Sequence, residues 1–186
     1  MILMHNNQTL SFSHFGNSKL GSRVSALSRP TGISCPNNCL FLDSTCYAEK
    51  IERIYPSTRK AYLKNYKIAD WQKIRSFLLE ASKKGNAVRY NVNGDLMKTT
   101  IDDKKILDIK YINALIKANQ SILKGNKIPP KQLLYTHCLD KRVLKLSPYI
   151  VVYASVDSTA DYRKAKSLGF ILFAWTTPLK KSDKRR

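Results

Sequence analysis

With 186 residues, 43% of them hydrophobic, the chain has the size and apolar content of one globular domain with a sizeable core, which excludes a disordered polymer. It holds no run of 18 apolar residues, and its start, Met1 to Asn7, lacks a basic segment followed by a long apolar one; no membrane span or secretory leader is expected, and the protein is read as cytoplasmic. A balance of 33 Lys+Arg against 13 Asp+Glu leaves a formal net charge of +20, which favours a polyanionic partner, most simply nucleic acid, or else marks a lysine-rich solvated surface.

Residues 1–20 are polar and mixed, and read as a flexible arm or a short edge strand. Residues 21–178 read as a single α/β domain. Residues 179–186, with Lys180, Lys181, Lys184, Arg185 and Arg186, read as a basic tail able to track a phosphate backbone. Within the domain, Arg23 to Leu27 alternates as a strand does, and Ser28-Arg-Pro-Thr-Gly breaks it. A helical pattern runs from Tyr47 to about Tyr66, interrupted near Pro56. Its Lys50, Arg53, Arg59, Lys60 and Lys64 alternate with Tyr47, Tyr55, Tyr62 and Tyr66, a mixture that suits a single nucleic-acid strand as well as an ordinary amphipathic helix.

Asp70 is placed to cap a helix through Lys84, with Trp71, Ile74, Phe77 and Leu78 inward. Ala87 to Val92 reads as a strand ending in Asn93-Gly94-Asp95. A long helix is expected from about Asp103 to Leu123, burying Ile106, Ile109, Ile112, Ile116 and Leu123. Leu133 to Thr136 is a short strand running into His137 and Cys138, and Arg142 to Leu146 a brief helical turn. Tyr149 to Val156 is nearly all apolar, the pattern of a strand buried on both faces. Asp161 to Leu168 is a short helix and Phe170 to Trp175 the last strand.

Strands and helices thus alternate about five times, which predicts a parallel sheet. With right-handed crossovers and consecutive strands, the expected result is an open, partial (β/α) barrel of about five parallel strands. Its mouth would gather the residues just past each strand: the cysteine loop; then Asn93, Gly94 and Asp95; then His137 and Cys138; then Ser155 and Asp157; then Trp175, Thr176 and Thr177. Polar residues collect where a barrel enzyme keeps its site.

Three of the four cysteines, Cys35, Cys39 and Cys46, fall in one loop with spacing C-x3-C-x6-C. In a reducing compartment such clustering points to metal or cluster ligation rather than disulfides. Three thiolates suit an iron–sulfur cluster; with Cys138 or His137 as a fourth ligand they also suit structural zinc. Plainer roles stand beside these: His137 as a satisfied strand-end histidine, Asp95 and Asp157 as loop residues capping the next helix, Trp175 as core. No Walker loop, Gly-x-Ser-x-Gly, His-Glu-x-x-His or dinucleotide fingerprint supports an ATPase, hydrolase, metalloprotease or dehydrogenase.

In order, Cys-Pro-x-x-Cys with Cys-Tyr-Ala, Val-Arg-Tyr-Asn-Val-Asn-Gly-Asp, Leu-Tyr-Thr and Tyr-Ala-Ser-Val-Asp resemble the gene product 88 family of phage and plasmid proteins, over about residues 20–177. That layout is in turn similar to radical S-adenosylmethionine enzymes, which hold three cluster cysteines after the first barrel strand and a Gly-Gly-Glu-like motif after the second. The resemblance implies a 4Fe-4S cluster on Cys35, Cys39 and Cys46. It also implies S-adenosylmethionine near Asn93, Gly94 and Asp95, with Gly94 allowing close approach and Asp95 accepting from the ammonium group. The x6 gap differs from the x2 usual in the radical enzymes. The resemblance leaves two functions: a radical-enzyme-like iron–sulfur protein acting on nucleic acid or nucleotide, or a cluster- or zinc-stabilised nucleic-acid-binding module.

Overall fold

The computed structural model describes residues 10–13, 21–37, 39–42, 45–68 and 70–176. The first half holds β1 (Val24–Leu27), α1 (Tyr47–Ile54), α2 (Pro56–Lys67), α3 (Trp71–Lys83) and β2 (Ala87–Tyr90). Then come β3 (Met97–Thr99), β4 (Lys105–Leu107), α4 (Ile109–Lys124) and β5 (Gln132–Thr136). A 3-10 turn (Lys141–Leu146), β6 (Val151–Val156), α5 (Thr159–Ser167) and β7 (Phe173–Trp175) complete the chain.

Five strands form one parallel sheet in the order β1-β2-β5-β6-β7, so each main strand lies beside the next in sequence. Burial alternates along them: every second residue of β1, β2 and β5 is sealed and its neighbour is half-exposed. The sealed set, including Leu27, Val88, Tyr90, Leu134, Val152 and Ala154, shares one core with Ile74, Phe77 and Leu78 of α3, Ile112, Leu115 and Ile122 of α4, and Ala165 of α5. Right-handed crossovers between neighbours put helices on one face, and one-sided burial is the outcome. Polar groups inside that core are paired: Tyr90 Oη donates to Gln132 Oε1 at 2.8 Å, and Gln132 Nε2 to Asn119 Oδ1 at 2.6 Å.

Helix ends obey their sequence signals. Asp70, Asp108 and Ser158 accept from Gln72 N, Tyr111 N and Asp161 N and start α3, α4 and α5. Pro56 splits the first helical stretch, sitting at the opening of α2 where a missing N–H costs nothing. No helix of the described residues is long and apolar enough to cross a membrane.

Four expectations need correction. The helix expected from residue 103 begins at Ile109, because Asp108 caps it and the residues before pair as the antiparallel hairpin β3–β4. Ile106 and Leu123 are accordingly half-exposed, at 49% and 48%, and the buried stripe is Tyr111, Ile112, Leu115, Ala118 and Ile122. β6 is covered on both faces only at its carboxyl end: Val151 is exposed and Tyr153 half-buried, whereas Ala154, Ser155 and Val156 are all buried. Trp175 is not core; it is 38% exposed at the end of β7, stacked on Tyr162.

Of residues 1–20 only 10–13 are described, and there a single antiparallel bridge ties the chain to β1. Ser13 and Ala26 exchange two antiparallel bonds, 3.1 and 2.8 Å, and the Asn65 amide clasps both polar groups of the Ser11 backbone. Thr177 and the basic tail lie outside the described residues.

Candidate functional site

All five parallel strands point their carboxyl ends at one cavity of about 440 Å³. The segment after β1 supplies Thr31, Cys35, Cys39 and Cys46 to its wall. β2 and its turn supply Arg89, Asn91, Gly94 and Asp95, β5 supplies Tyr135 and His137, and Ser155, Ala174 and Thr176 close it from β6 and β7. The sheet therefore brings the three cysteines to the second-strand motif and to His137, as the alternation of elements implies.

The cysteine segment is held from several sides. Arg29, 1% exposed, stacks on Tyr66 and Tyr111, donates from Nη1 to the Asp95 carbonyl at 3.1 Å, and pairs through Nη2 with Asp108 Oδ2 at 2.6 Å. Buried Glu52 reaches back from α1 to accept from Thr31 N at 2.9 Å and from Arg59 Nη1 at 3.2 Å. The β3–β4 hairpin buttresses the loop: Met97 N donates to the Ser34 carbonyl, and Thr99 Oγ1 to the Ile33 carbonyl. Cys46 stands at the amino end of α1, its carbonyl receiving Lys50 N.

Gly94 sits at φ +73, where a side chain is strained. A Cβ there would come within 2.5 Å of the Arg29 carbonyl oxygen and collide with Ser34 Oγ. The backbone that approaches Gly94 is thus the cysteine segment itself. Asn93 does not border the cavity; its Nδ2 reaches the Ala48 carbonyl at 3.4 Å and its own carbonyl accepts from Arg29 N.

Asp95 is 3% exposed. Its Oδ1 accepts from Leu96 N at 2.8 Å and Thr136 Oγ1 at 2.5 Å, and its Oδ2 from His137 N at 2.8 Å. These donors fill three of the roughly four acceptor sites of a carboxylate. Burial nevertheless dominates and raises its pKa, against the lowering effect of Thr136 and His137. His137 lies between two carboxylates, Nδ1 4.0 Å from Asp95 Oδ2 and Nε2 3.3 Å from Asp157 Oδ1. Asp157 also bonds Thr176 Oγ1; Ser158, not Asp157, caps α5, which corrects the helix-cap reading.

Burial pushes the Cys35 thiol up to about 12, with the Asp95 carboxylate adding to it, and raises Cys39 likewise. A metal binding there must displace their protons. Cys138 is 4% exposed, part of the hydrophobic core, and does not border the cavity. Among the described residues no three His, Cys, Asp or Glu side chains are grouped as a single ion would need.

Sequence reasoning missed Arg29, Glu52, Arg89 and Asn91. Ser28-Arg-Pro-Thr-Gly reads as a plain break, although an arginine two residues past the end of β1 is a signal. Arg89 and Asn91 lie inside the stretch read only as a strand, Ala87 to Val92.

A sequence model of the family described as gene product 88 matches residues 1–113, which take in the cysteine segment and Asn93-Gly94-Asp95. No curated protein and no solved structure matches the chain.

Proposed function

The chain belongs to the gene product 88 family, and from its mouth we propose that it is an iron–sulfur protein of a phage or mobile element, with Cys35, Cys39 and Cys46 holding a 4Fe-4S cluster. One observation carries the reading: three thiols of one segment border a single 440 Å³ cavity at the carboxyl ends of a parallel sheet. Soft thiolates suit iron–sulfur chemistry, and thiols spread around a cavity suit a group larger than one tetrahedral ion. Cys138 stands outside the cavity, so a cluster held by the three loop thiols would keep one iron for His137 or a bound ligand.

Strands in sequence order fit a partial (β/α) barrel, and the proposal extends to a radical-enzyme-like layout with S-adenosylmethionine as candidate ligand. A reduced cluster with an open iron supplies electrons and a binding position for that ligand's amino and carboxylate groups. The protein's part is orientation and exclusion of water. Gly94 lets the second-strand turn lie against the cysteine segment, and Asp95 holds that turn to β5 with one acceptor site left for an ammonium group.

A second reading, a cluster- or zinc-stabilised nucleic-acid-binding module, is favoured by a different observation. A groove beside the mouth is lined by Lys50, Arg53 and Arg59 and shares Thr45, Cys46 and Tyr47 with the cavity. With the net charge of +20, a phosphate backbone is its natural occupant.

Anaerobic purification with iron, sulfide and zinc analysis tests the proposal. Brown protein that loses its iron in the Cys35→Ala, Cys39→Ala, Cys46→Ala triple variant is expected; colourless protein with stoichiometric zinc sinks the cluster. Calorimetry with S-adenosylmethionine on the reduced protein then separates the readings. No binding, alongside salt-sensitive nucleic-acid binding lost in Lys50→Glu with Arg53→Glu, leaves the binding module.

A further inference from the structure

Two basic grooves border the mouth cavity, and they do so through different residues. The first runs along α1 and holds Lys50, Arg53 and Arg59; it shares Thr45, Cys46 and Tyr47 with the cavity. The second lies among the β3–β4 hairpin, the 3-10 turn and α5. It holds Lys105, Arg142 and Lys164, and shares Pro36 and His137 with the cavity. Each also holds an acidic residue, Glu49 in the first and Asp140 in the second. Arg59 is paired with Glu52 at 3.2 Å, and Arg142 grips both oxygens of Asp140. Exposed Lys50, Arg53 and Lys164 and half-exposed Lys105 are therefore the cations that meet an incoming anion. They come from α1, β4 and α5, so no single amphipathic helix accounts for their gathering at the carboxyl ends of the sheet.

The cavity that both grooves border has aromatic walls, to which Phe41, Tyr47 and Tyr135 contribute. Tyr135 is already stacked with Arg89 and Tyr153 and serves as a fixed wall. Tyr47 differs. It is 47% exposed, and it borders the cavity and the first groove at once. Its Oη reaches the Val92 carbonyl at 3.4 Å, which ties the phenol to the turn after β2. Phosphates suit the two grooves, and ring surface beside a cavity suits a base. A paired base stays inside its own stack, whereas a base of a single strand is free to turn aside.

We propose that a single strand of nucleic acid crosses the mouth from one groove to the other and turns one base into the cavity against Tyr47. Its phosphates meet Lys50 and Arg53 in the first groove and Lys105 and Lys164 in the second. The volume of 440 Å³ lies in the range that receives small planar ligands. This inference rests on the nucleic-acid reading above and deepens it: it adds the second groove, the preference for a single strand and the place of the base. It does not depend on a metal at the cysteines.

The test is fluorescence anisotropy on the full chain with an oligothymidylate of about twelve nucleotides, a length within the range of single-strand sites. The parent binds at low salt and weakens as salt rises. Lys105→Glu with Lys164→Glu weakens binding roughly tenfold or more, and so does Lys50→Glu with Arg53→Glu. Lys124→Glu with Lys127→Glu makes the same change of charge between α4 and β5, at the end of the sheet away from the cavity, and costs much less. A duplex of the same length binds more weakly than the strand. Photo-cross-linking with 5-iodouracil in the strand needs no variant: it labels Phe41 or Tyr135 of the parent, which border the cavity and neither groove. If Lys105→Glu with Lys164→Glu binds as the parent does, the crossing is overturned and a one-groove module remains. Cross-links confined to the grooves overturn the seat for the base. Duplex or polyglutamate held as tightly as the strand overturns the proposal in favour of a general surface for polyanions. No binding at low salt removes the nucleic-acid reading together with it.

Discussion

Leu133 and Leu134 are neighbours on β5, yet Leu134 is sealed among helices and Leu133 lies half-exposed on the opposite face. The same contrast runs across the sheet. One face carries Leu27, Val88, Leu134, Val152 and Ala154 into the common core. The other presents Arg89, Tyr135 and Tyr153, stacked on one another and leading to Ser155 at the mouth. In a fold of this kind one face supplies the stability, which frees the other to carry polar and aromatic groups that a closed core would reject.

The sharpest way to break that comparison is the neighbouring pair. Leu134→Ala is expected to cost about 3 kcal/mol in urea unfolding, because a cavity opens in a packed core. Leu133→Ala is expected to cost about 1 kcal/mol, since its side chain is only partly buried. Equal losses would mean that the second face is covered too.

Asp95 sharpens it at the boundary between the faces. Asp95→Asn replaces an acceptor by an amide N–H₂ facing donors, at a cost of about 1–3 kcal/mol. The pH dependence has a definite sign. Burial raises the folded carboxyl above its ordinary value of 3.8, so the folded state holds that proton more tightly than the unfolded chain. The Asp95 contribution is complete below that value and declines as pH rises through the folded pKa. The stability difference between parent and Asp95→Asn therefore shrinks with rising pH; a difference that grows would contradict the assignment.

The smallest effect is read by labelling. In metal-free protein near pH 8, iodoacetamide is expected to modify Cys39 and Cys46, both partly exposed, before Cys35 and Cys138, both buried. Peptide mass spectrometry tracks each site. Cys138 reacting first would remove it from the core and return it to the candidate ligands.

The five parallel strands and their order were legible because alternation, β-rich runs and Gly or Pro punctuation agree at each. The hairpin β3–β4 was not: Met97 to Leu107 has no tight turn signature, and Ile106 falls in phase with the isoleucines of α4. Only the capping contact of Asp108 shows where that phase begins. Of the site, the cysteine segment, Asp95 and His137 were readable from their place after strands. Arg29 and Glu52 were not, since each matters through contacts made far away in sequence, which no local pattern encodes.

Arg29 sets an order of events in time. It opens the cysteine segment, but its partners at Asp95 and Asp108 lie 66 and 79 residues downstream. During synthesis those partners leave the ribosome well after Cys46, and contacts of such long separation form late. The nascent cysteine segment therefore passes through a period without the anchor that Arg29 gives it. The wall that Arg29 helps to build is then finished only once the start of α4 has been made.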